Sequence, residues 1–409
     1  MRAVRTALLR AALAVVAPAR LAGQLLELYW RLRSCIAERK RALAQTSEFA
    51  KLLADLPTLT IPWAQRLERK SGKWQERGIV VVAGGEKYGP LAARLTRSLR
   101  SSGCTLPIEV FYLGSVEIDG CDAMSELATY DNVTLRDLLS GQPTLRDTPG
   151  FGYAAKPLAL AASSFAEVLL LDADNMVLRD PSYLFESRQY SETGAVFWSD
   201  MYYMGETFLR LYDPYDVRRR PSWLEAFVQD GLDAWLVRGV RIKPDYGPTL
   251  AAIGMPACDA TQESGQLLID KRRCIAAVAA VGLLNSNSNR PLVYSGLHGD
   301  KDTFRCAFRA LRTPYHQVNK RPLLGGHVDP MTGVFQDTCF MQPDLSPSGK
   351  PLFLHSCGRH RNDDDARHAQ LPSAVMTARG RPFKLWPYDG RRGYREGTIE
   401  SFPMLEQCQ

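Results

Sequence analysis

Nine cysteines are present and none stands in C-x-x-C spacing, which excludes the zinc fingers, knuckles and ribbons built on such pairs. Long apolar runs are missing near the N-terminus. Only nine uncharged residues separate Arg10 from Arg20, against the roughly 20 that a helix needs to span a bilayer. No basic stripe or nucleic-acid module accompanies the net charge of +7 and the isoelectric point near 8.9. The excess is scattered in short patches such as Arg218-Arg219-Arg220 and Lys271-Arg272-Arg273, so no nucleic-acid partner is expected. Internal repeats and low-complexity stretches are also lacking, which removes solenoids and biased tails.

What is there has ordinary globular composition, with 45% hydrophobic and 23% charged residues over 409 positions. That length suits one large α/β domain with insertions, or two domains. Residues 1–75 are rich in Ala, Leu, Arg, Glu and Lys and are expected to be helical, as a stem carrying a weak signal-anchor or as an amphipathic helix running to Ala50. Residues 76–360 form the expected main domain, with a poorly periodic insertion at 201–258. A tail at 361–409 is expected to pack on it. Cys104 with Cys121, and Cys339 with Cys357, could each close a short loop in an oxidising compartment; scattered buried thiols fit as well. Asn132-Val133-Thr134 is a glycosylation sequon.

Apolar runs alternate with helical periodicity along the main domain. "GIVVVAGG" (78–85) is a strand turning sharply at its glycines, and "YGPLAARLTRSLRSSG" a helix with a glycine stop at Gly103. "LPIEVFYLG", "FAEVLLLD", "GAVFWSD", the start of "ESGQLLIDK", "GVFQDTCFMQ" and "PLFLHSC" read as further strands. "YAAKPLALAASSF", the stretch after "LLIDK" and "GDKDTFRCAFRAL" read as helices. The predicted class is a mostly parallel central sheet covered by helices on both faces.

The strand Phe165–Leu171 ends in Asp172-Ala173-Asp174. In extended chain, residues i and i+2 point the same way, so both carboxylates are expected together past the carboxyl end of a central strand, where open α/β sheets bind ligands. Two close carboxylates repel unless a cation lies between them. Oxygen ligands suit Mg2+ or Mn2+, whose shells are completed by phosphate oxygens and water. A lone D-x-D also occurs as a plain helix cap.

The context goes further. "KPLALAASSFAEVLLLDADNMVLRDPSYLFE" resembles the donor-binding core of the fungal Golgi α-mannosyltransferases of the MNN type. "LRSSGCTLPIEVFYLG", "ESGQLLIDK", "GDKDTF" and "PLFLHS" are similar to further blocks of that family, in the same order, across roughly residues 78–358. The resemblance implies a Rossmann-like A-type glycosyltransferase domain that binds a nucleotide sugar. It also implies GDP-mannose as donor, Mn2+ (or Mg2+) as cofactor, a glycan or glycoprotein acceptor, retention at the anomeric carbon, and a type II protein of the Golgi membrane. The short N-terminal apolar segment, residues 201–258 and the tail depart from the family's pattern.

Roles follow on those terms. Asp172, Asp174 and His355 are the expected metal ligands, with Asp172 also within reach of a ribose. Gly84 and Gly85 would let the backbone approach the nucleotide, and Lys156, placed before Pro157 at an expected helix start, would pair with a phosphate. Glu263 and Asp300 are the candidate catalytic carboxylates, and Lys301 and Asp302 would hold phosphate or sugar hydroxyls. Trp198, Tyr202 and Tyr203 could form a sugar platform. Each has a plainer alternative: a strand-end histidine, a turn glycine, a solvated lysine, an acid-rich helix start, an aromatic core. Rival functions are a transferase of the same fold using a UDP-sugar, a haloacid-dehalogenase-type phosphatase in which Met176 breaks the usual motif, and a non-catalytic glycan-binding domain.

Overall fold

The computed structural model describes residues 19–140, 151–203, 244–255, 260–318, 320, 322–328, 331, 335–346, 349–355, 374–377, 393–394 and 398–401. Its elements begin with two helices, α1 (Ala19–Leu59) and α2 (Ile61–Ser71), followed by β1 (Gln75–Val82), α3 (Gly85–Ser101) and β2 (Ile108–Tyr112). Then come α4 (Asp122–Leu127), β3 (Val133–Asp137), α5 (Phe151–Ala162), β4 (Phe165–Asp172), β5 (Met176–Val177), α6 (Arg188–Thr193) and β6 (Ala195–Tyr203). The chain continues through α7 (Gly247–Ala252), β7 (Ala260–Asp270), α8 (Ile275–Leu284), α9 (Arg290–Gly296), α10 (Thr303–Ala310) and β8 (His316–Val318). The last strands are β9 (Leu323–Val328), β10 (Phe335–Pro343), β11 (Pro351–His355), β12 (Ala374–Thr377), β13 (Gly393–Tyr394) and β14 (Thr398–Ser401).

The main sheet runs β3-β2-β1-β4-β7-β6-β8. The pairs β3/β2, β2/β1, β1/β4 and β6/β8 are parallel, while β7 lies antiparallel between β4 and β6. The expected mixed α/β class, mostly parallel, is thus observed. Central position explains the sequence of β4: Val168 to Leu171 are all at most 1% exposed, because both faces of the strand are covered. Val80, Val168 and Leu170 pack into one core, and Ile79, Val81, Leu169 and Leu171 into the other.

α3 packs on the second core through Ala92, Leu95 and Leu99. Its glycine stop falls at Gly103, whose φ of +89° is in the left-handed region. On the opposite face, α5 contributes Ala159 and Leu160. α8, "IAAVAAVGLL", is apolar on every side because it lies buried against α2, α5 and α10. The end of α1 belongs to this same core: Phe49 and Leu56 are fully buried, and the Phe49 ring stacks on Tyr246 at 3.9 Å between centroids. Burial of a side chain of that size contributes about 2–3 kcal/mol. Among the described residues no helix is long and apolar enough to cross a membrane.

A second, antiparallel sheet runs β14-β12-β9-β10-β11-β5, with β13 on β10, so the described strands of the tail complete it. Cys104 and Cys121 are free and buried, which answers the expectation for that pair in favour of buried thiols; Cys339 is buried, and Cys357, its expected partner, lies outside the described residues.

Candidate active site

The second sheet builds the site. β5 leaves the main sheet directly after the two aspartates and pairs with β11, Val177 against Phe353 and Met176 against Leu354. Leu178 N–H donates to the Leu352 carbonyl at 2.9 Å, which locks the register. β11 therefore ends beside the end of β4, and its last residue, His355, arrives at the aspartates.

Asp172 is the last residue of β4, and the chain then turns, with Asn175 N–H donating to the Asp172 carbonyl at 3.0 Å. The turn, rather than an extended pleat, brings the two acids together. His355 Nε2 lies 3.5 Å from Asp174 Oδ1 and 3.8 Å from Asp172 Oδ2. One donor atom from each of the three lies within 4.8 Å of the others.

β7 supplies the floor. Its pairing with β4 is continuous up to Leu171 opposite Gln266. On its other edge the register jumps from Phe197/Leu267 to Trp198/Glu263, leaving Ser264, Gly265 and Gln266 without partners on β6. Such bulges re-aim side chains next to functional sites. The Asn175 side-chain amide donates to the Gly265 carbonyl and ties the bulge to the aspartate turn. Glu263 turns back on it, accepting from Gly265 N–H at 2.7 Å through Oε1. Its Oε2 lies 3.4 Å from His355 Nδ1 and 3.5 Å from Lys301 Nζ.

Two lysines separate the remaining acids. Lys156 reaches from α5 to Asp172 Oδ1 at 3.0 Å, Asp300 Oδ2 at 3.4 Å and Ser264 Oγ at 2.8 Å. Lys301 donates to Asp200 Oδ2 at 2.8 Å. Asp302 Oδ1 accepts from the Gln262 backbone N–H at 3.0 Å, which pins the start of α10 to β7. Asp172, Asp174, Asp200, Glu263 and Asp300 thus share one region with Lys156, Lys301 and His355.

The charges shift one another accordingly. Burial lowers the His355 pKa, but Glu263, Asp174 and Asp172 outweigh it and push the imidazole up to about 9. Burial raises Glu263, yet Lys301 and His355 hold it well below the usual carboxylate range. Asp300 is pushed up to about 6 by burial, which Lys156 offsets in part. Burial also takes Asp302 up to about 6, against Arg305. Lys156 and Lys301 are both raised: their neighbouring carboxylates overcome the burial that lowers them.

This set fits a divalent cation. Two carboxylates and an imidazole converge at a site with an excess of acids, and a cation there would replace the proton that those acids hold on His355. Asp300 Oδ2 is buried and is held by a long, 3.4 Å ion pair to Lys156 in place of a close hydrogen bond, so its acceptor capacity is under-used.

The residues expected from sequence are thereby placed. Asp172, Asp174, His355, Glu263, Asp300, Lys301 and Lys156 come together, and Asp302 stands at the edge as a backbone anchor. Lys156 sits inside α5, which starts at Phe151, not at the helix start. Gly84 and Gly85 face the 113–117 loop. A Cβ at Gly84 would lie 2.5 Å from Glu117 Oε2, and Gly85 has φ +63°. Trp198 is fully buried, with Nε1 donating to the Pro343 carbonyl at 2.8 Å, so it is core and not a sugar platform. The side chains of Tyr202 and Tyr203 lie outside the described residues. Sequence reasoning missed Asp200, Asn175 and the role of Gly265; Asp200 carries a related mark, an apolar run followed by an acid, although its strand continues to Tyr203.

Residues 76–344 match the family described as "Mannosyltransferase putative". The chain belongs to this mannosyltransferase family. Among curated proteins, this family member is 31% identical over 282 residues to alpha-1,2-mannosyltransferase MNN21 of Candida albicans, covering 65% of this chain and 42% of that protein. It is 28% identical over 300 residues to alpha-1,2-mannosyltransferase MNN2 of Saccharomyces cerevisiae, covering 71% of this chain and 48% of that one. The chain thus spans less than half the length of these two relatives. Among solved structures it is similar to core-mannan synthase A of Aspergillus fumigatus, at 10% identity and a TM-score of 0.35 over 60% of this chain and 73% of that one. It is also similar to a mutant of the glycosyltransferase LgtC, at 14% identity and a TM-score of 0.34 over 71% and 92%.

Proposed function

We propose that the protein is a metal-dependent, retaining α-mannosyltransferase that moves mannose from GDP-mannose to a mannose-containing glycan. The observation that carries this is the convergence of Asp172, Asp174 and His355 at the carboxyl end of β4, with Glu263 and Asp300 beside them. Family membership supplies the sugar, and the family resemblance supplies the guanine nucleotide and the Golgi lumen.

Asp172, Asp174 and His355 would hold Mn2+, or Mg2+ in its place; when bound, the ion neutralises charge on the diphosphate as it departs. Lys156 and Lys301 stand close enough to add to that stabilisation, in a buried setting where a fixed charge acts strongly. Gly84 and Gly85, at the first strand-to-helix turn, are assigned to the nucleotide. Asp300, whose buried Oδ2 has a long ion pair to Lys156 and no close hydrogen bond, receives a sugar hydroxyl, and Asp302 holds α10 in register for it. Glu263 is the carboxylate we place at the reacting carbon. Retention calls either for a nucleophile opposite the leaving group or for front-face attack assisted by the departing phosphate. A buried, ionised Glu263 serves as nucleophile in the first and stabilises the cationic carbon in the second.

The deciding experiment offers the purified protein GDP-mannose and UDP-sugars, with Mn2+ and with chelator, in wild type and Asp174→Ala. Mn2+-dependent turnover of GDP-mannose, lost in the variant, is expected. A UDP-sugar preference would keep the site and overturn the donor; release of phosphate from a phosphomonoester alone would overturn the transferase.

A further inference from the structure

We propose that Tyr153, with His298, forms the docking platform for the acceptor's terminal sugar ring, a subsite that rests on the transferase reading above. Tyr153 is 52% exposed, yet its ring is fixed in place. Its root lies over the backbone of Gly299: a Cβ there would stand 2.8 Å from Tyr153 Cγ and 2.9 Å from Cδ1. Gly299 has φ +64°, so glycine is required for both the conformation and the contact. Tyr294 braces the ring edge-on at 6.3 Å, and the exposed His298 ring is tilted beside it at 6.1 Å. Folding has thus ordered an aromatic ring and left much of it in water.

Position ties this ring to the chemistry. Gly299, on which it lies, directly precedes Asp300. Lys156 stands three residues along α5 from Tyr153, on the same helical face, and reaches both Asp300 and Asp172. The rim therefore offers a flat apolar face and an imidazole within a few residues of the candidate catalytic acid. A pyranose presents the complement: C–H groups across one face and hydroxyls around the edge.

The nucleotide is placed elsewhere. Gly84 and Gly85 lead into α3, whose Ala92, Leu95 and Leu99 pack on the core of Ile79 and Val81, whereas α5 packs on the core of Val80 and Leu170, across the sheet. With Gly84 and Gly85 assigned to the nucleotide on the α3 side and Lys156 of α5 to its diphosphate, the first turn of α5 at Tyr153 remains for the acceptor.

Steady-state kinetics with GDP-mannose as donor and α-mannobiose as probe acceptor test this in wild type, Tyr153→Ala, Tyr153→Phe and His298→Ala. Tyr153→Ala is expected to raise the KM for mannobiose about tenfold, with KM for GDP-mannose moving less than about twofold, the signature of lost acceptor binding. Tyr153→Phe keeps the ring and is expected to stay near wild type. A rise in the GDP-mannose KM alone, or no change in either, would overturn the platform. Saturation-transfer NMR provides an arm that needs no turnover. Transfer from tyrosine ring protons to mannobiose C–H protons, lost in Tyr153→Leu, is expected, and its absence in wild type overturns the proposal. If GDP-mannose is not turned over at all, the transferase reading fails by itself, and the NMR result still decides whether Tyr153 holds a sugar.

Discussion

The His355 imidazole lies on the bare face of Gly265: a Cβ at position 265 would come within 3.0 Å of His355 Cε1 and 3.1 Å of its Nδ1. Nine in ten real Cβ contacts are looser than that, so the histidine or the bulge would have to give by a few tenths of an ångström. Gly265→Ala is therefore expected to weaken metal binding about tenfold or more, as displacement of a ligand's support does. Manganese titration followed by electron paramagnetic resonance checks it. Unchanged affinity would show that the bulge, and not the histidine, gives way.

Asp174→Asn keeps the size of the side chain and removes its charge. Loss of about a hundredfold or more in kcat for transfer from GDP-mannose is expected, in line with removal of an electrostatic stabiliser from a buried site. Chelator should silence the wild type, and added Mn2+ should restore it. Retention of activity in the variant would remove Asp174 from the ligand set.

Lys156→Met leaves Asp172 and Asp300 facing one another without their shared cation. Breaking a buried pair on one side costs about 3–5 kcal/mol, so urea unfolding without metal should show a loss of that order. Saturating Mn2+ should recover part of it by supplying positive charge beside Asp172. A neutral substitution would mean that the lysine is solvated and the pairing incidental.

Lys271 tests the far end of the sheet. It is fully buried, with Nζ donating to the Ser163 carbonyl at 2.8 Å and lying 4.3 Å from the centre of the Trp74 ring. Burial brings its pKa down to about 7, with Glu109 opposing. Between pH 7 and the ordinary lysine value the unfolded chain holds a proton that the folded chain has released, so stability rises with pH across that window. The wild type should gain about 1–2 kcal/mol over Lys271→Met between pH 7 and 9. Parallel stability curves would show that the amine stays charged.

The parts legible in sequence were those written locally. Val168 to Leu171 is a run that only a doubly covered strand produces, and its stop at Asp172 announced the site. Likewise α8 was visible from its continuous apolar run. β3 escaped because "VTLRD" is only partly buried and carries no apolar run. The bulge at Ser264–Gln266 escaped for a different reason: register is a property of two strands, and nothing in "ESGQ" states what lies beside it. The same holds for β5, two residues whose pairing with β11 decides where His355 goes. Lys156 could be named as a site residue but not as the bridge between Asp172 and Asp300, because Asp300 comes close only through the fold.

The pairing of β5 with β11 also fixes when the metal triad can exist. Asp172 and Asp174 leave the ribosome with the first half of the chain, whereas His355 follows after β6 to β10 have been made. Contacts of such long sequence separation carry a high closure entropy and form late. A chain halted before His355 would own a largely complete parallel sheet and two mutually repelling aspartates. On the proposed reading, cation capture would report on completed folding, and a divalent ion that binds only the finished fold would stabilise it by mass action.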